Sequence, residues 1–595
     1  MKAARLTSAF LALAALLVPA ATLSAQQSQA SSDSLNQPAH QNRDWWKNAV
    51  IYEIYPRSFQ DSNGDGIGDL NGITSRLDYL QKLGIDAIWL TPIYPSPQVD
   101  FGYDISDYDA IDPQYGTLAD FDHLVEEAHK RHIGIIMDLV LNHTSDQHPW
   151  FKESESSRDN SKADWYMWHD PKMVDGQREP PNNWESVFGG SAWQWDPARQ
   201  QYYYHRFYIQ QPDLNWNNPA VRKAMYDVER FWIEHGVAGF RLDAITSLFE
   251  DPQDRDEDYV LGPDGKPLIN AYGDKVVKTN LTDNLPEVND VLRELRQVAD
   301  QTEGRKVILI GETYLRSVDD LRKMYGTNND ELDLPMDMEV GFPPNGVDVL
   351  NVDRFRQRIN EAETEIDGNM PLFVFDNHDN KRWDRWVTND HKEDVGRVLA
   401  TILFASRDTA MMYYGDEIGM VTTPPRRKQD VKDPIGIRGW PKEKGRDGER
   451  TPMQWDAGVD AGFSAAAKTW LPIPPSYKTV NVAAEESEQR SMLDWYEKMI
   501  ALKKADPALH DGDEIMLNPT DQHVLSWLRK SRDGEAVIVA CNFTAEPQTV
   551  SFNLTAQGVS TFHVKTLLKT PGAPDPLSID MIQLGPYGVY IGKVE

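Results

Sequence analysis

Acidic side chains of this sequence recur at the ends of short apolar runs. Asp243 and Glu312 each close such a run, and Asp379 stands in the stretch 377–379 that follows another. One acidic residue in that position is usually a helix N-cap, but several in register point to chemistry. Retaining hydrolysis of a glycosidic bond requires two carboxyl groups about 5–5.5 Å apart, one a nucleophile and the other a proton donor. These run ends therefore predict glycoside hydrolysis.

Arg241 precedes Asp243 by two residues in the run 239–243. Side chains two residues apart on a strand point to the same face, so the guanidinium can hold Asp243 ionised and oriented. Asp243 is therefore the predicted nucleophile. Glu312 is the predicted acid/base, a role that requires a pKa raised by burial and by neighbouring carboxylates.

Strand-like and helix-like segments alternate along most of the chain and would position these residues. Helical patterns such as 118–131 and 219–235 separate runs rich in β-branched residues. The seven clear runs are 49–55, 86–91, 133–141, 237–242, 306–311, 371–375 and 410–414, with a weaker one near 332–338. Such alternation predicts βαβ units and an α/β fold. We expect a (β/α)8 TIM barrel, in which chemistry sits at the carboxyl ends of the strands.

Two segments break this alternation. Residues 143–216, rich in Trp, Tyr, Pro and Asp, follow the third strand and predict an inserted subdomain B. Residues 513–595 carry short alternating strands near 523–528, 535–542, 549–553 and 588–592, which predict a C-terminal antiparallel β-domain. The catalytic barrel is therefore expected in two parts, 43–142 and 217–512.

The amino-terminal end has the pattern of an export signal. Lys2 and Arg5 precede an apolar run, and Ala25 closes a Leu-Ser-Ala cleavage pattern. We predict a signal peptide over 1–25 and a flexible leader over 26–42, hence an exported protein that is periplasmic or secreted. The alternative is an uncleaved anchor.

Composition excludes several classes of partner. The 595 residues include 93 acidic and 61 basic side chains, for a formal charge of −32. Such a surface repels nucleic acid and anionic membranes, so neither is an expected partner. Cys541 is the only cysteine, which excludes an intramolecular disulfide and a multi-cysteine metal site.

Four motifs in barrel order resemble the conserved regions of glycoside hydrolase family 13, the α-amylase family. They are DLVLNH (138–143), GFRLD (239–243), GET (311–313) and NHD (377–379). The resemblance spans nearly all of the chain after the signal peptide and implies a (β/α)8 barrel. It implies that Asp243 is the nucleophile, Glu312 the general acid/base and Asp379 a transition-state stabiliser. It further implies sugar binding by His143, Arg241 and His378.

Other stretches resemble the α-glucosidase branch of that family, which includes maltases and oligo-1,6-glucosidases. These are GYDISDY (102–108), QPDLNW (211–216) and RDGERTPMQWD (446–456). The resemblance implies that Tyr103 is a sugar platform and that Asp104 binds terminal hydroxyls, with Gln211 and Arg446 as further sugar contacts. A pocket closed at that end would admit only a terminal glucose.

The residue after the nucleophile bears on linkage. In related enzymes Val at this position accompanies α-1,6 preference and Thr accompanies α-1,4 preference. Ala244 departs from both and, with the stretch 187–207, resembles animal maltases. We therefore expect an exo-acting retaining α-glucosidase for α-1,4-glucosides such as maltose, with sucrose possible. The alternatives are an oligo-1,6-glucosidase, a sucrose hydrolase or isomerase, a trehalose synthase-like transglucosylase and, from another class, a non-catalytic barrel protein.

An early loop carries oxygen ligands at alternate positions. Asp61, Asn63, Asp65 and Asp69, with Gly66 at position six, mimic the start of an EF-hand loop, although Gly72 replaces the glutamate at position twelve. Family resemblance implies that these four side chains and the carbonyl of Ile67 hold a structural Ca²⁺ or Mg²⁺. The alternative is an Asx-rich turn. No organic cofactor is expected.

Overall fold

The computed structural model describes residues 44–302, 304–315, 317–342, 349–387 and 390–595. The predicted signal peptide and leader lie outside the described residues. Within the described ranges, no helix combines the length and the apolar character that crossing a bilayer requires.

Eight parallel strands form a nearly closed barrel, as predicted. The strands are β1 (Val50–Ile54), β2 (Ala87–Leu90), β3 (Gly134–Val140), β4 (Gly239–Asp243), β5 (Ile308–Gly311), β6 (Leu334–Asp337), β7 (Leu372–Phe373) and β8 (Ala410–Tyr413). Hydrogen bonds link them in the order β7-β6-β5-β4-β3-β2-β1-β8. At the remaining seam, Thr409 N donates to Pro371 O at 3.2 Å. Every residue of β1, β3 and β4 is buried, which explains their continuous apolar runs.

Helices cover the outside of the barrel. They are Leu70–Ser75, Leu77–Leu83, Leu118–Lys130, Pro219–Glu234, Val288–Asp300, Val318–Lys323, Val352–Thr364, Lys392–Ala405 and Met492–Ala505. Leu118–Lys130 illustrates how the sequence fixes them. Thr117 and Asp120 form a reciprocal capping box at its start, and Phe121, Leu124, Val125 and Ala128 bury one face of the helix. Shorter helices elsewhere are Pro149–Ser156, Met338–Gly341, Pro434–Gly439, Val482–Ser487 and Pro507–Asp511.

The segment after β3 forms small antiparallel sheets over the barrel mouth. Trp168–His169, Gln201–Tyr204 and Trp193–Asp196 make one sheet, and Lys172–Val174 pairs with Gln177–Glu179 in a second. The hydrophobic core of this insertion consists mainly of aromatic side chains, namely Trp184, Trp193, Tyr202 and Tyr204. The long aromatic insertion predicted from the sequence is therefore a folded unit.

A second excursion, residues 249–287, follows β4 and was not anticipated from the sequence. It holds its shape through isolated bridges such as Tyr259–Val277, with no strand longer than a single pair. It reaches the insertion, where Gly190 N donates to Asp274 Oδ2 at 2.9 Å. The two excursions therefore meet over the open end of the barrel.

The C-terminal residues form an antiparallel β-domain, as predicted. Its five-stranded sheet has the order Asp513–Leu517, Val524–Lys530, Ala536–Asn542, Val589–Val594, Val564–Lys569, and Gln548–Val550 pairs with Ile582–Leu584. Asp513–Leu517, Val564–Lys569 and Ile582–Leu584 were not predicted. The first two are edge strands with partly exposed residues, so their apolar alternation is weak.

Candidate active site

The carboxyl ends of the barrel strands open into a cavity of about 410 Å³. This volume suits a small ligand. Six of the predicted site residues line it: Tyr103, His143, Asp243, Glu312, Asp379 and Arg446. Strands β4, β5 and β7 end at or just before the three carboxylates, so residues distant in sequence meet here.

Arg241 lies beneath the carboxylates, fully buried on β4. It pairs in register with Asp138 of β3, and its Nη1 donates to Asp138 Oδ1 at 3.0 Å and to Asp243 Oδ1 at 2.5 Å. Its Nη2 lies 2.6 Å from Glu312 Oε1. The indole of Trp89 packs against the guanidinium, 5.1 Å from its ring centre. One cation therefore fixes the two predicted catalytic carboxylates relative to each other.

Burial dominates the acidity of the two carboxyl groups. It raises the pKa of Asp243 to about 7, against the opposing effect of Arg241. It also raises the pKa of Glu312 to about 7, with Arg241 again opposing and the Asp243 and Asp379 carboxylates adding to the rise. The cluster therefore retains a proton near neutral pH, as acid/base catalysis requires.

The main chain at Ala244 also contacts the acid/base. Ala244 has a left-handed conformation with φ 45°, which is uncommon for a residue other than glycine. Its N–H donates to Glu312 Oε2 at 2.9 Å. The turn after the nucleophile therefore helps to orient Glu312.

His378 forms a second charged cluster with Asp379. Its Nδ1 lies 2.6 Å from Glu53 Oε1, and its Nε2 lies 2.7 Å from the Tyr103 hydroxyl and 3.1 Å from Asp379 Oδ2. Burial lowers the pKa of His378, but the Asp379 and Glu53 carboxylates outweigh it and raise the pKa to about 9. Burial likewise opposes ionisation of Asp379, yet His378 and Arg446 hold its pKa well below the usual range. His378 is thus an imidazolium behind an ionised Asp379.

Arg446 closes one end of the cavity. Its guanidinium donates to Asp379 Oδ1 at 2.7 Å, to Asp100 Oδ1 at 2.7 Å and to Asp433 Oδ1 at 3.0 Å. Arg450 Nη2 donates to the same Asp379 oxygen at 2.8 Å. Asp100 also lines the cavity but was not predicted from the sequence. Its position two residues before the GYDISDY motif was the signal that could have identified it.

The structure does not bring Asp104 to the cavity, contrary to the prediction. The side chain is fully buried, and its carboxylate accepts hydrogen bonds from Ser96 Oγ, Val99 N and Asp100 N. Asp100, four residues earlier, occupies the place expected for it. Asp104 therefore lies behind the cavity, and Asp100 is the acid of this turn that lines it.

Gln211 and His378 lie behind the cavity wall. Gln211 Nε2 donates to Asp100 Oδ2 at 3.2 Å and lies 3.0 Å from His143 Nε2. Both Gln211 and His378 are fully buried. Both contact residues that line the cavity. The predicted site residues therefore form an inner set that lines the cavity and an outer set that lies behind it.

The open side of the cavity has a largely apolar rim. Val187, Phe188 and Phe207 come from the insertion, Ile435 from the short helix Pro434–Gly439, and Tyr314 from the loop after β5. Polar groups also line this side, namely Arg206, Thr246, Ser247 and Asp283. The stretch 187–207 was noted for its resemblance to maltases, but none of these residues was predicted to line the site, because they lie on excursions that have no strand or helix period.

The early acidic loop is stabilised by its own backbone. Asp61 accepts from Asn63 N, Gly64 N and Gly66 N, and Asp65 Oδ1 accepts from Ile67 N. Among the described residues, no group of three or more His, Cys, Asp or Glu side chains is arranged to hold a metal ion. A cation here would therefore depend on Asn63 and main-chain oxygens in addition to the carboxylates.

We expect the imidazolium of His378 to stabilise the fold in a pH-dependent way. Its folded pKa of about 9 exceeds the value of about 6.5 for an unfolded histidine. This contribution is fully present below pH 6.5 and is lost as the pH rises through 9. The stability deficit of His378→Gln relative to the parent should therefore shrink by about 3 kcal/mol between those limits, measured by denaturant unfolding.

His205→Gln is the matched control for this experiment. Burial lowers the pKa of His205 to about 4, so its side chain is neutral throughout the range. Its deficit should stay constant between pH 7 and 9.5. Equal pH profiles for the two variants would contradict a charged His378.

Comparison with known proteins places this site in a family. Residues 53–512 match the alpha amylase catalytic domain. A probable alpha-glucosidase of Rhizobium meliloti (strain 1021) is 43% identical over 529 residues, covering 87% of this chain and 92% of that protein. An oligo-1,6-glucosidase of Heyndrickxia coagulans is 39% identical over 544 residues, covering 86% and 94%. The crystal structure of an alpha-glucosyl transfer enzyme, XgtA, is 36% identical with a TM-score of 0.82, covering 93% of this chain and 99% of that chain. The chain therefore belongs to the α-amylase family, glycoside hydrolase family 13, and is an enzyme that acts on α-glucosides.

Proposed function

We propose that this enzyme is an exo-acting, retaining α-glucosidase that releases terminal α-glucose from maltose-type α-1,4 oligosaccharides. The observation that carries the proposal is a cavity with two carboxyl groups on one guanidinium and an Asp100–Arg446 ion pair across its end. The first feature supports the reaction, and the second supports attack at a chain end.

Contact with a common cation favours the retaining mechanism. Asp243 and Glu312 contact neighbouring nitrogens of the Arg241 guanidinium, which keeps their carboxyl groups close together. A retaining enzyme needs a separation of about 5–5.5 Å, whereas an inverting enzyme needs about 6.5–9.5 Å to admit a water molecule. The shorter spacing fits a shared guanidinium better.

Hydrogen bonding favours Asp243 as the ionised nucleophile. Arg241 Nη1 makes a directed hydrogen bond to Asp243, whereas its Nη2 contacts Glu312 but has no hydrogen-bond partner among the described residues. This directed hydrogen bond favours an anion on Asp243, and we assign the retained proton to Glu312.

The reaction then proceeds by double displacement. The Asp243 carboxylate attacks the anomeric carbon while Glu312 gives its proton to the glycosidic oxygen, so that the leaving sugar departs and a β-glucosyl ester forms. Glu312, now a carboxylate, takes a proton from water, which attacks the ester and frees Asp243. Two inversions give α-glucose. The ionised Asp379 stabilises the positive charge that develops on the sugar ring.

The closed end of the cavity supports exo action. Asp100 and Arg446 form a largely buried ion pair at 2.7 Å whose partners line the cavity. Charged groups there can bind the hydroxyls of a non-reducing glucose, and we propose that they end the cavity after one sugar unit. Polymers held along their length would therefore be poor substrates.

Residue 244 supports the α-1,4 assignment. Ala244 lines the cavity directly after the nucleophile, and alanine at this position resembles the animal maltases. A methyl group changes selectivity by only about 1–3 kcal/mol, so the linkage preference is a graded one.

Glucosyl transfer is the second candidate function, and the rim of the cavity favours it. Val187, Phe188 and Ile435 present apolar surface on the side from which an acceptor enters. Such surface favours an organic acceptor over water as the second nucleophile. Transfer and hydrolysis share the same glucosyl–enzyme ester and differ in the second step.

We further propose that the loop 61–69 binds a structural Ca²⁺, or Mg²⁺, through Asp61, Asn63, Asp65, the carbonyl of Ile67 and Asp69. Gly66, at the sharp-turn position, has φ 93°, and a Cβ there would lie 2.2 Å from Lys468 O. This tight backbone turn is what a Ca²⁺ loop requires. The cation would hold the loop and take no part in the reaction.

Product analysis tests the proposed substrate. We expect α-glucose from maltose, slower release from isomaltose, and almost none from starch, because the cavity admits only a chain end. Proton NMR during the first minutes separates the α-anomer from the β-anomer. Initial release of β-glucose would contradict the retaining mechanism, faster cleavage of isomaltose would contradict the α-1,4 preference, and a dominant transfer product would favour the second candidate.

Substitution of the two carboxyl groups separates their roles. Asp243→Asn should abolish turnover of every α-glucoside, because no nucleophile remains. Glu312→Gln should lower kcat on maltose by about 10²–10⁴-fold but spare formation of the ester from an α-glucosyl fluoride, whose leaving group needs no proton. Arg222→Gln, at an ion pair on the helix Pro219–Glu234, is the control with an intact cavity. The rate of ester formation is measured as the pre-steady-state burst of fluoride or of released glucose, and equal losses of that rate on both substrates would contradict the acid role of Glu312.

Calcium addition tests the loop. A bound ion stabilises the folded state, so the thermal midpoint of chelator-treated protein should rise by several degrees with millimolar Ca²⁺. Asp65→Ala should remove this response. Asp107→Ala is the matched control, since Asp107 is also exposed and accepts a hydrogen bond from the residue two positions on. An unchanged midpoint in the parent protein would overturn the cation proposal.

A further inference from the structure

The turn before the GYDISDY motif is built around a buried carboxylate. Asp104 Oδ1 accepts from Ser96 Oγ at 2.8 Å and from Asp100 N at 2.9 Å, and its Oδ2 accepts from Val99 N at 3.0 Å. All three donors belong to the segment that carries Asp100. The buried carboxylate thus holds three groups of the turn by hydrogen bonds, at a place where water cannot replace it.

This turn has an unfavourable backbone conformation on both sides of Asp100. Gln98 has φ 65° and Phe101 has φ 47°, in the left-handed region that non-glycine residues seldom adopt. Such conformations persist where the surroundings fix them. Arg57 Nη1 holds Gln98 Oε1 at 2.7 Å, and the Phe101 ring packs against Trp470 with ring centres 5.5 Å apart. Asp104 supplies the bonds between these two anchors.

The position of Asp100 matters because its carboxylate joins two partners at the end of the cavity. Its Oδ1 accepts from Arg446 Nη2 at 2.7 Å, and its Oδ2 accepts from Gln211 Nε2 at 3.2 Å. Arg446 in turn contacts Asp379. A shift of the Asp100 main chain would therefore disturb the group that faces the terminal sugar.

We propose that Asp104 is a positioning residue that fixes the main chain at Val99 and Asp100 and thereby holds the Asp100 carboxylate against Arg446. The inference rests on the proposed function, in which Asp100 binds the hydroxyls of the terminal glucose. Asp104 touches no substrate and acts through Asp100. Asp104 therefore contributes to binding of the terminal glucose, equally in the ground state and in the transition state.

Asp104→Asn tests this role with a minimal change of shape. The amide keeps one acceptor oxygen but turns an N–H₂ group toward a main-chain N–H, so one bond is lost and the turn shifts. Loss of a binding contact made equally in ground and transition states raises KM and leaves kcat nearly unchanged. We expect KM for maltose to rise about tenfold, the size of one charge-assisted hydrogen bond.

A double-mutant cycle with Asp100→Asn separates positioning from a general structural effect. If Asp104 acts through Asp100, Asp104→Asn should change kcat/KM by less than about twofold once Asp100 is already replaced. Asp506→Asn is the matched control. Asp506 is also buried and accepts from a main-chain N–H, Ala508 N at 2.9 Å, but it caps the helix Pro507–Asp511 and so lies outside the turn that carries Asp100. Its effect should combine with that of Asp100→Asn as an independent factor.

Three results would overturn the proposal. The first is that the effects of Asp104→Asn and Asp100→Asn on kcat/KM multiply in the double mutant, as independent effects do. The second is a loss of kcat in Asp104→Asn without a change in KM, and the third is wild-type kinetics for Asp104→Asn. If Asp104→Asn does not fold, Ser96→Ala replaces it, since it removes one donor and leaves the carboxylate in place. Its smaller rise in KM should likewise vanish in the Asp100→Asn background, and persistence there would overturn the proposal.

The cycle is independent of the linkage assignment. It is run on maltose and on a chromogenic aryl α-glucoside, which present the same terminal glucose. Failure of the parent enzyme to cleave maltose would contradict the proposed substrate, and the cycle would still be read on the aryl glucoside. An uncoupled cycle with normal maltose cleavage would contradict only the role of Asp104.

Discussion

The buried guanidinium of Arg241 is the interaction on which the site depends. Charged groups are costly to bury unless they are paired, and this one contacts Asp138, Asp243 and Glu312 at the centre of the barrel. Parallel pairing of β3 with β4 places Asp138 directly opposite it. The strand register therefore determines which carboxylates share the cation, and the chemistry follows from the way the barrel closes rather than from any loop.

Charge balance around that cation explains the acidity of the site. Asp243 and Glu312 keep elevated pKa values because burial outweighs a guanidinium that must serve several anions. Asp379 behaves in the opposite way because His378 and Arg446 are both cationic beside it. The pKa values of these neighbouring buried carboxyl groups are therefore shifted in opposite directions. The environment, and not the residue type, assigns a proton to one carboxyl and a permanent charge to another.

Much of the barrel could be predicted from the sequence, since its strands are continuous apolar runs separated by amphipathic helices. The carboxylates at strand ends were predictable for the same reason. Asp100 and Asp104 were not distinguished, because both are acids near one motif and only the path of the turn decides which faces the cavity. The excursion 249–287 was missed because isolated bridges leave no periodic pattern. Spacing predicts regular elements, whereas irregular backbone is determined by tertiary contacts.

The left-handed backbone at Ala244 has a consequence for redesigning this enzyme. The same residue forms part of the cavity wall and donates its N–H to Glu312. A side chain branched at Cβ, such as the Val or Thr of related enzymes, adds strain at φ 45°, so enlarging the wall here also acts on the main chain that carries this N–H. The shape of the cavity wall and the orientation of Glu312 therefore both depend on residue 244. We therefore expect a substitution at residue 244 to change the shape of the cavity wall and proton transfer by Glu312 together.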